Sequence, residues 1–267
     1  GTEDLIVGAP NALVDGTDVG SAYIFYGPLT SGLTSQDADV VFTGQVNQDP
    51  DNPTNHNAVD TGYSVAFVGD VNNDGLPDIA IGDPSKKNSG STNGEAYLIF
   101  GREDVYNDNG DKVIGEWEGT ISLNETSWRR TLGREILSDG TAREQMGAAI
   151  DAIGDVNGDG IADLAVGAYR WDSDSNNPNQ NNGAVFVWYG GSRLYDLEQL
   201  LVSHNTDNNT ADLIIVGDNE LDQIGRSLSG AGDFDGDGTL DIVIGSEHAY
   251  DNAGLVMAFT GIRHFKH

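Results

Sequence analysis

The chain has 267 residues, with 43 acidic against 13 basic side chains and a formal charge of −30. That balance excludes nucleic acid as a partner, because phosphate binding needs a basic footprint, and it disfavours an anionic membrane surface. The absence of cysteine excludes disulfides, thiolate catalysis and zinc–thiolate sites, and no apolar run approaches the roughly 20 residues of a membrane helix. No secretory leader is visible, so the sequence reads as mature or as a slice of something longer.

In chain order, the first predicted strands are Asp4–Gly8, Ala22–Tyr26 and Ala38–Gly44, followed by an Asn/Asp/Pro-rich connector over 45–60. A Gly-led strand, Gly62–Val68, then leads into the phrase Asp70-Val-Asn72-Asn-Asp74-Gly-Leu76-Pro-Asp78 and the strands Asp78–Gly82 and Ala96–Phe100. A connector with an Asn109-Gly110 turn signal follows, and the fourth strand of this unit is expected within Lys112 to Leu123. The set repeats as Gly147–Ile153, Asp155–Asp163, Asp163–Gly167, Ala184–Tyr189 and Ala211–Gly217, with the polar loop 171–182 inside it. It begins again as Gly225–Ala231, Asp233–Asp241, Asp241–Gly245 and Leu255–Phe259. The runs are short, rich in β-branched and aromatic residues and punctuated by Gly, Asn and Asp, which is the pattern of strands and turns. Four strands per repeat is the makeup of a propeller blade. The units expected are 1–61 (partial), 62–145, 146–223 and 224–267 (partial). The recurring aromatics Tyr23, Phe25, Tyr97, Phe186, Trp188 and Phe259 are expected in the core between blades, and Trp171, in its polar loop, is the aromatic best placed for an exposed contact.

The repeated phrase carries the chemistry. Each copy sets oxygen side chains at positions 1, 3, 5 and 9 with Gly at 6, the spacing by which a short loop surrounds Ca2+, a hard cation that takes six to eight oxygens. The predicted ligands are Asp70, Asn72, Asp74, the Leu76 carbonyl and Asp78; Asp155, Asn157, Asp159, the Ile161 carbonyl and Asp163; and Asp233, Asp235, Asp237, the Thr239 carbonyl and Asp241. Gly1 to Asp4 reads as the tail of a fourth such loop. The position-9 carboxylate is the expected bidentate ligand, and it also starts the next strand. Two carboxylates ~4 Å apart repel by about 4 kcal/mol at an effective dielectric of ~20, so the cation reverses the sign of the loop's energy. With four carboxylates against three, the third loop is expected to bind most tightly. Three bound ions would add six positive charges and leave −24, so a solvated acidic surface accounts for most of the charge.

The unit Gly62-Tyr-Ser-Val-Ala-Phe-Val-Gly-Asp-Val-Asn-Asn-Asp-Gly-Leu-Pro-Asp-Ile-Ala-Ile-Gly-Asp-Pro84, continued by Gly94-Glu-Ala-Tyr-Leu-Ile-Phe-Gly101, resembles the FG-GAP repeat of integrin α-subunit head domains and their bacterial relatives. The resemblance covers nearly the whole chain in four register-matched units. It implies an all-β β-propeller with calcium in loops between the first and second strands of a blade, and an extracellular or cell-surface setting. It also implies a larger propeller, of which about four blades are visible here with the first and last incomplete. Gly-Ala-Pro survives only at Gly8-Ala9-Pro10, and Phe-Gly is replaced by Thr61-Gly62, Met146-Gly147 and Ile224-Gly225. The fold inference tolerates these departures; an integrin-like ligand does not follow from them.

No nucleophile–base pair, Gly-x-Ser-x-Gly or phosphate loop occurs, and the five histidines form no catalytic or metal spacing. Arg129, Arg130, Arg134 and Arg143 gather in one connector as a partner patch or as counter-ions to the acidic surface. Asn124-Glu-Thr126 and Asn208-Asn-Thr210 match glycosylation acceptors, a frequent chance match. The function expected is a non-catalytic calcium-binding propeller of an extracellular or cell-surface protein. It would act in adhesion through a protein or glycan ligand, or in surface assembly by self-association through exposed blade edges. The alternative is the propeller portion of a secreted enzyme, a polysaccharide lyase or phospholipase-like hydrolase. A third reading takes the acidity as adaptation to a salty environment.

Overall fold

In a computed structural model of the chain, residues 3–260 are described except 15, 45–46, 49–55, 58–59, 89–90, 93, 104, 107–111, 115–116, 124–128, 135–143, 173–179, 197–198 and 203–209. Arg143, the acceptor motif at Asn124, the Asn208 of the second motif, His264 and His267 lie outside the described residues. The architecture is a succession of four β-sheets, the blades, antiparallel except for one parallel strand added at the edge of each of the first two. Blade 1 is built from β1 (Leu5–Ala9), β2 (Ser21–Phe25) and β3 (Val40–Thr43). Blade 2 contains β4 (Val65–Gly69), β5 (Asp78–Asp83) and β6 (Glu95–Ile99). Between blades 2 and 3 the chain forms β7 (Gly119–Ser122) and β8 (Arg129–Arg134). Blade 3 comprises β9 (Met146–Gly154), β10 (Asp163–Ala168) and β11 (Ala184–Trp188), and after β12 (Gln199–Val202) it is completed by β13 (Leu213–Val216). Blade 4 is formed by β14 (Ser227–Gly232), β15 (Asp241–Ser246) and β16 (Leu255–Phe259).

Successive blades pack face to face, so the middle strands bury both surfaces and read as continuous apolar runs rather than alternating ones. Ile79 and Ile81 of β5 meet Ala22, Ile24, Val40 and Phe42 of blade 1, whereas Ala80 between them faces Ile150, Leu164 and Val166 of blade 3. Ala165, Val185 and Val187 likewise face Ile242 and Ile244 of blade 4. Of the aromatics expected in the core, Tyr97, Phe186 and Trp188 are fully buried and Phe25 nearly so, whereas Tyr23 and Phe259 are only half-buried. Trp171 does not offer an exposed contact. It is 3% exposed and packs edge-on against Phe186 at 4.9 Å between centroids, because its backbone amide turns back on Ala168 and directs the ring into the core.

The glycines that end each second strand allow this stacking. A Cβ at Gly8 would lie 1.9 Å from the Gly62 carbonyl oxygen, one at Gly82 2.1 Å from that of Gly147, and one at Gly167 1.9 Å from that of Gly225. The partner glycines 62, 147 and 225 have φ of +87°, +86° and +82°, a region that side chains disfavour. The Gly-led strand and the Gly-ended strand are thus two halves of one backbone-to-backbone contact between neighbouring blades.

The fourth strand of blade 2 differs from expectation. It is β8, antiparallel to β6, and not a segment of Lys112 to Leu123. Within that segment Lys112–Ile114 forms a ribbon with Val105–Tyr106, and β7 runs parallel to β3, extending blade 1. Trp117 and Leu123, flanking β7, are buried in the core between blades 1 and 2. The apolar signal was real, but residue types do not reveal which blade a strand joins. The same device recurs one blade later, where β12, from the connector of blade 3, adds in parallel to β8 of blade 2. Each of these connectors therefore reaches back to cover an outer edge of the preceding blade, which removes an open edge and links the blades through main-chain bonds.

The glycine contact makes a direct prediction. Gly167→Ala forces a methyl group against the Gly225 carbonyl and should lower stability by about 1–3 kcal/mol, as overpacking does. Chemical denaturation measures this, and an unchanged midpoint would count against the close packing.

Candidate metal centres

The three Asp-rich phrases form three loops of one geometry, each joining the first strand of a blade to the second. Positions 4 and 6 are in the left-handed region every time: Asn73, Gly158 and Gly236 at +62°, +81° and +79°, and Gly75, Gly160 and Gly238 at +94°, +91° and +89°. The tight reversal that results turns alternate side chains inward. In loop 1, Asp70 Oδ1 accepts from the Asp74 amide at 2.9 Å and its Oδ2 from the Gly75 amide at 2.8 Å. Asn72 Oδ1 accepts from the Asp74 amide at 3.0 Å, and Asp74 Oδ1 from the Leu76 amide at 2.9 Å. Loop 2 repeats this with Asp155 on the amides of Asp159 and Gly160, Asn157 on Asp159, and Asp159 on Ile161. Loop 3 does so with Asp233 on Asp237 and Gly238, Asp235 on Asp237, and Asp237 on Thr239.

The loops differ at position 3. Asp233, Asp235 and Asp237 bring carboxylate oxygens within 4.8 Å of one another, the one such group of three acidic or His side chains among the described residues. In loops 1 and 2 the residue is Asn, and its amide nitrogen donates to the position-5 carboxylate, Asn72 to Asp74 at 2.8 Å and Asn157 to Asp159 at 3.0 Å. A cation there requires the amide to present its oxygen instead.

Position 9 is set apart. Asp78, Asp163 and Asp241 are completely buried, and each holds the backbone amide that follows position 1: Val71 at 3.0 Å, Val156 at 2.9 Å and Phe234 at 2.8 Å. The other oxygen of Asp78 accepts from the Gly101 amide and that of Asp163 from the Gly190 amide, both at 2.8 Å. These amides, at the exit of the third strand, are partners that the spacing of the phrase did not reveal. Asp4 makes the corresponding bond to the Gly27 amide at 2.8 Å, so Asp4 occupies position 9 of its blade; Gly1 and Thr2 are outside the described residues. Loop 1 is also tied to the next blade, as the Gly191 amide donates to the Val71 carbonyl at 2.7 Å.

Burial pushes the Asp78 carboxyl up to about 7, over the opposing effect of the Gly101 and Val71 amides and with further upward pressure from Asp74 and Asp70. Burial likewise raises Asp163 to about 6 against the Gly190 and Val156 amides. Ionised carboxylates in such places need a positive partner. The donor set fits a hard divalent cation: all side-chain donors are oxygens, and each carboxylate oxygen that accepts one amide keeps a second lone pair. Asp83 is also pushed up, to about 6, by burial, but it lies beyond the loop, where it accepts from Thr61 Oγ1 at 2.8 Å and the Asp60 amide at 3.1 Å. At the departure from Gly-Ala-Pro, this aspartate caps the entry to its own blade.

Comparison with known proteins agrees with this geometry. The FG-GAP repeat matches residues 61–99, 146–188 and 225–257, each stretch spanning a loop and the strands around it. The chain is similar to integrin alpha-6 of Gallus gallus, 30% identical over 165 residues, or 61% of this chain and 12% of that protein. It is similar to integrin alpha-X of Mus musculus, 34% identical over 103 residues, 39% of the chain and 8% of that protein. It is also similar to integrin alpha-2 of Bos taurus, 28% identical over 188 residues, 68% of the chain and 13% of that protein. It thus spans about a tenth of the length of these relatives. The chain thus carries FG-GAP repeats, each built around one of the Asp-rich loops, and its all-β blades agree with the β-propeller that such repeats form.

Proposed function

We propose that this chain is a calcium-stabilised, non-catalytic propeller region of an extracellular or cell-surface protein, with a role in adhesion to a protein or glycan ligand. The observation that carries the reading is the threefold oxygen cage, whose last carboxylate is buried at the foot of the strand it launches. Calcium is the favoured ion, because the donors are flexible and numerous and magnesium gives up its water shell reluctantly. Its ligands are the residues at positions 1, 3, 5 and 9 and the carbonyl at position 7: Leu76, Ile161 and Thr239. Extracellular modules of modest affinity (~0.1–1 mM) fill only where calcium is abundant, which suits a surface location. No helix among the described residues is long and apolar enough to cross a membrane. Self-association belongs to the same reading. Among the described residues β1 pairs only with β2, and its Leu5 and Val7 are 41% and 40% exposed, where the matching Ile79 and Ile81 of β5 are buried against a neighbouring blade.

Two outcomes test the metal. Excess chelator should lower the melting temperature by several degrees and added calcium should restore it, whereas magnesium at equal concentration should restore less; melting indifferent to both excludes structural calcium. Asp237→Asn, exposed in loop 3, should weaken calcium binding at that loop about tenfold or more and leave the other two loops intact, as read by calorimetry.

A third concerns protons. The carboxyls of Asp78 and Asp163 have folded values of about 7 and about 6 against 3.8 for an ordinary carboxyl. Between about 4 and 7 the metal-free folded chain therefore binds protons that the unfolded chain does not, and its stability rises as pH falls through that window. A cation must displace those protons, so calcium affinity should fall from pH 8 to pH 5.5 with proton release on binding. Calorimetry in buffers of different ionisation enthalpy measures the release; pH-independent affinity contradicts it.

A further inference from the structure

At the end of blade 4 away from loop 3, the segment between β13 and β14 and the turn between β15 and β16 form a half-open cleft of about 380 Å3, within the range of small-ligand sites. One wall is the segment entering β14, with Asn219, Leu221 and Gln223; the other follows β15, with His248, Tyr250 and Asn252. Loop 3 joins β14 and β15 at their far ends, so cleft and loop lie at opposite ends of one strand pair.

The backbone of both walls is held in an unusual state. Leu221, Gln223, Tyr250 and Asn252 have φ of +66°, +51°, +53° and +69°, four of the seven non-glycine residues so placed among the described residues. Such conformations persist only where the surroundings enforce them, and they gather at functional sites. Here the enforcement is visible. The Leu221 amide donates to Gln180 O at 2.7 Å and that of Gln223 to Asn181 O at 3.1 Å. Ser246 Oγ, donating to the Asp222 carbonyl and accepting from the Ala249 amide, ties the two walls at their base.

The strain orients a particular set of groups. Leu221 and Tyr250 are 55% and 65% exposed, an aliphatic and an aromatic surface at the rim. The Asn219 side-chain nitrogen donates to the buried Asp222 carboxylate at 3.1 Å, which fixes the amide. Asn252 Oδ1 lies 2.8 Å from His248 Nδ1; His248 Nε2 is 3.2 Å from Glu247 Oε1, which also accepts from Arg226 Nε at 3.0 Å. Two amides on opposite walls are therefore braced from behind beside an exposed ring. Vicinal hydroxyls, each both donor and acceptor, match braced amides, and the C–H face of a pyranose matches an exposed tyrosine. Among the described residues no Lys or Arg lines the cleft, and Glu220 does, so a uronate or sulfated sugar would be repelled, the more so by a chain of charge −30.

We propose that this cleft binds a neutral oligosaccharide, with Tyr250 as the stacking platform and Asn219 and Asn252 as hydrogen-bonding arms. The proposal rests on the reading of the chain as a recognition module and specifies its ligand. The test is a glycan array of neutral and acidic oligosaccharides probed with the calcium-loaded chain, followed by calorimetry on the best neutral ligand, with oligolysine as a cationic control. Binding of neutral glycans is expected, weakened at least tenfold by Tyr250→Ala and preserved by Tyr250→Phe, with the melting temperature of both variants unchanged. Absence of neutral-glycan binding, while calcium still raises the melting temperature, overturns the cleft and leaves the metal reading standing. Sugar binding indifferent to Tyr250→Ala overturns the location, and binding of oligolysine alone overturns the ligand class in favour of a basic peptide. Sugar binding without any calcium effect upholds the cleft and fails the metal reading.

Discussion

The structure depends on a carboxylate at the foot of the second strand of each blade, buried in blades 2, 3 and 4. Asp78 and Asp163 each hold two amides from distant points of the chain, one at the start of the cation loop and one at the exit of the third strand. Asp4 holds the corresponding third-strand amide in blade 1, and Asp241 the loop amide in blade 4. Hydrogen bonds to a charged acceptor are the stronger kind, yet burying that charge is costly, and the raised values of Asp78 and Asp163 are the mark of the conflict. On the proposed reading, a divalent cation in the adjoining loop would resolve it: the anion would organise the blade and the cation would keep the anion ionised, so that loop, strand and sheet would share one electrostatic centre.

A second constraint works between blades. Middle strands buried on both faces require close stacking, and close stacking at strand ends leaves no room for a Cβ. The paired glycines, Gly8 with Gly62, Gly82 with Gly147 and Gly167 with Gly225, meet that requirement. The strands β7 and β12 add main-chain bonds from one blade to the one before it. Blades so joined are not independent beads: the loop of Val71 is itself bonded to Gly191 of the next blade.

Much of this was legible in the residues. A strand buried on both faces is a short apolar run, and such runs as Ile79–Ile81 and Leu164–Val166 stand out between glycines. The loops were legible because a cation site needs oxygens at alternate positions and a left-handed turn, and Asp, Asn and Gly meet those needs directly. Long-range choices were not legible. Thr120 and Ile121 of β7 are as suited to their own blade as to the preceding one, and only the path of the chain decides. Trp171 sits in a polar sequence, yet a single turn points its ring into the core. The amides of Gly101 and Gly190 carry no side-chain signature, and the cleft around Tyr250 arises from backbone conformations that Leu, Gln and Tyr do not advertise.

The central claim is that a calcium ion in each loop neutralises the buried carboxylate. Crystals grown with calcium and measured for anomalous scattering test it most directly. The account predicts one peak in each of the three loops, about 2.3–2.6 Å from oxygens of positions 1, 3, 5 and 9 and from the carbonyl of Leu76, Ile161 or Thr239. Loops without anomalous density at saturating calcium, with Asp78, Asp163 and Asp241 bonded to backbone amides alone, would contradict it.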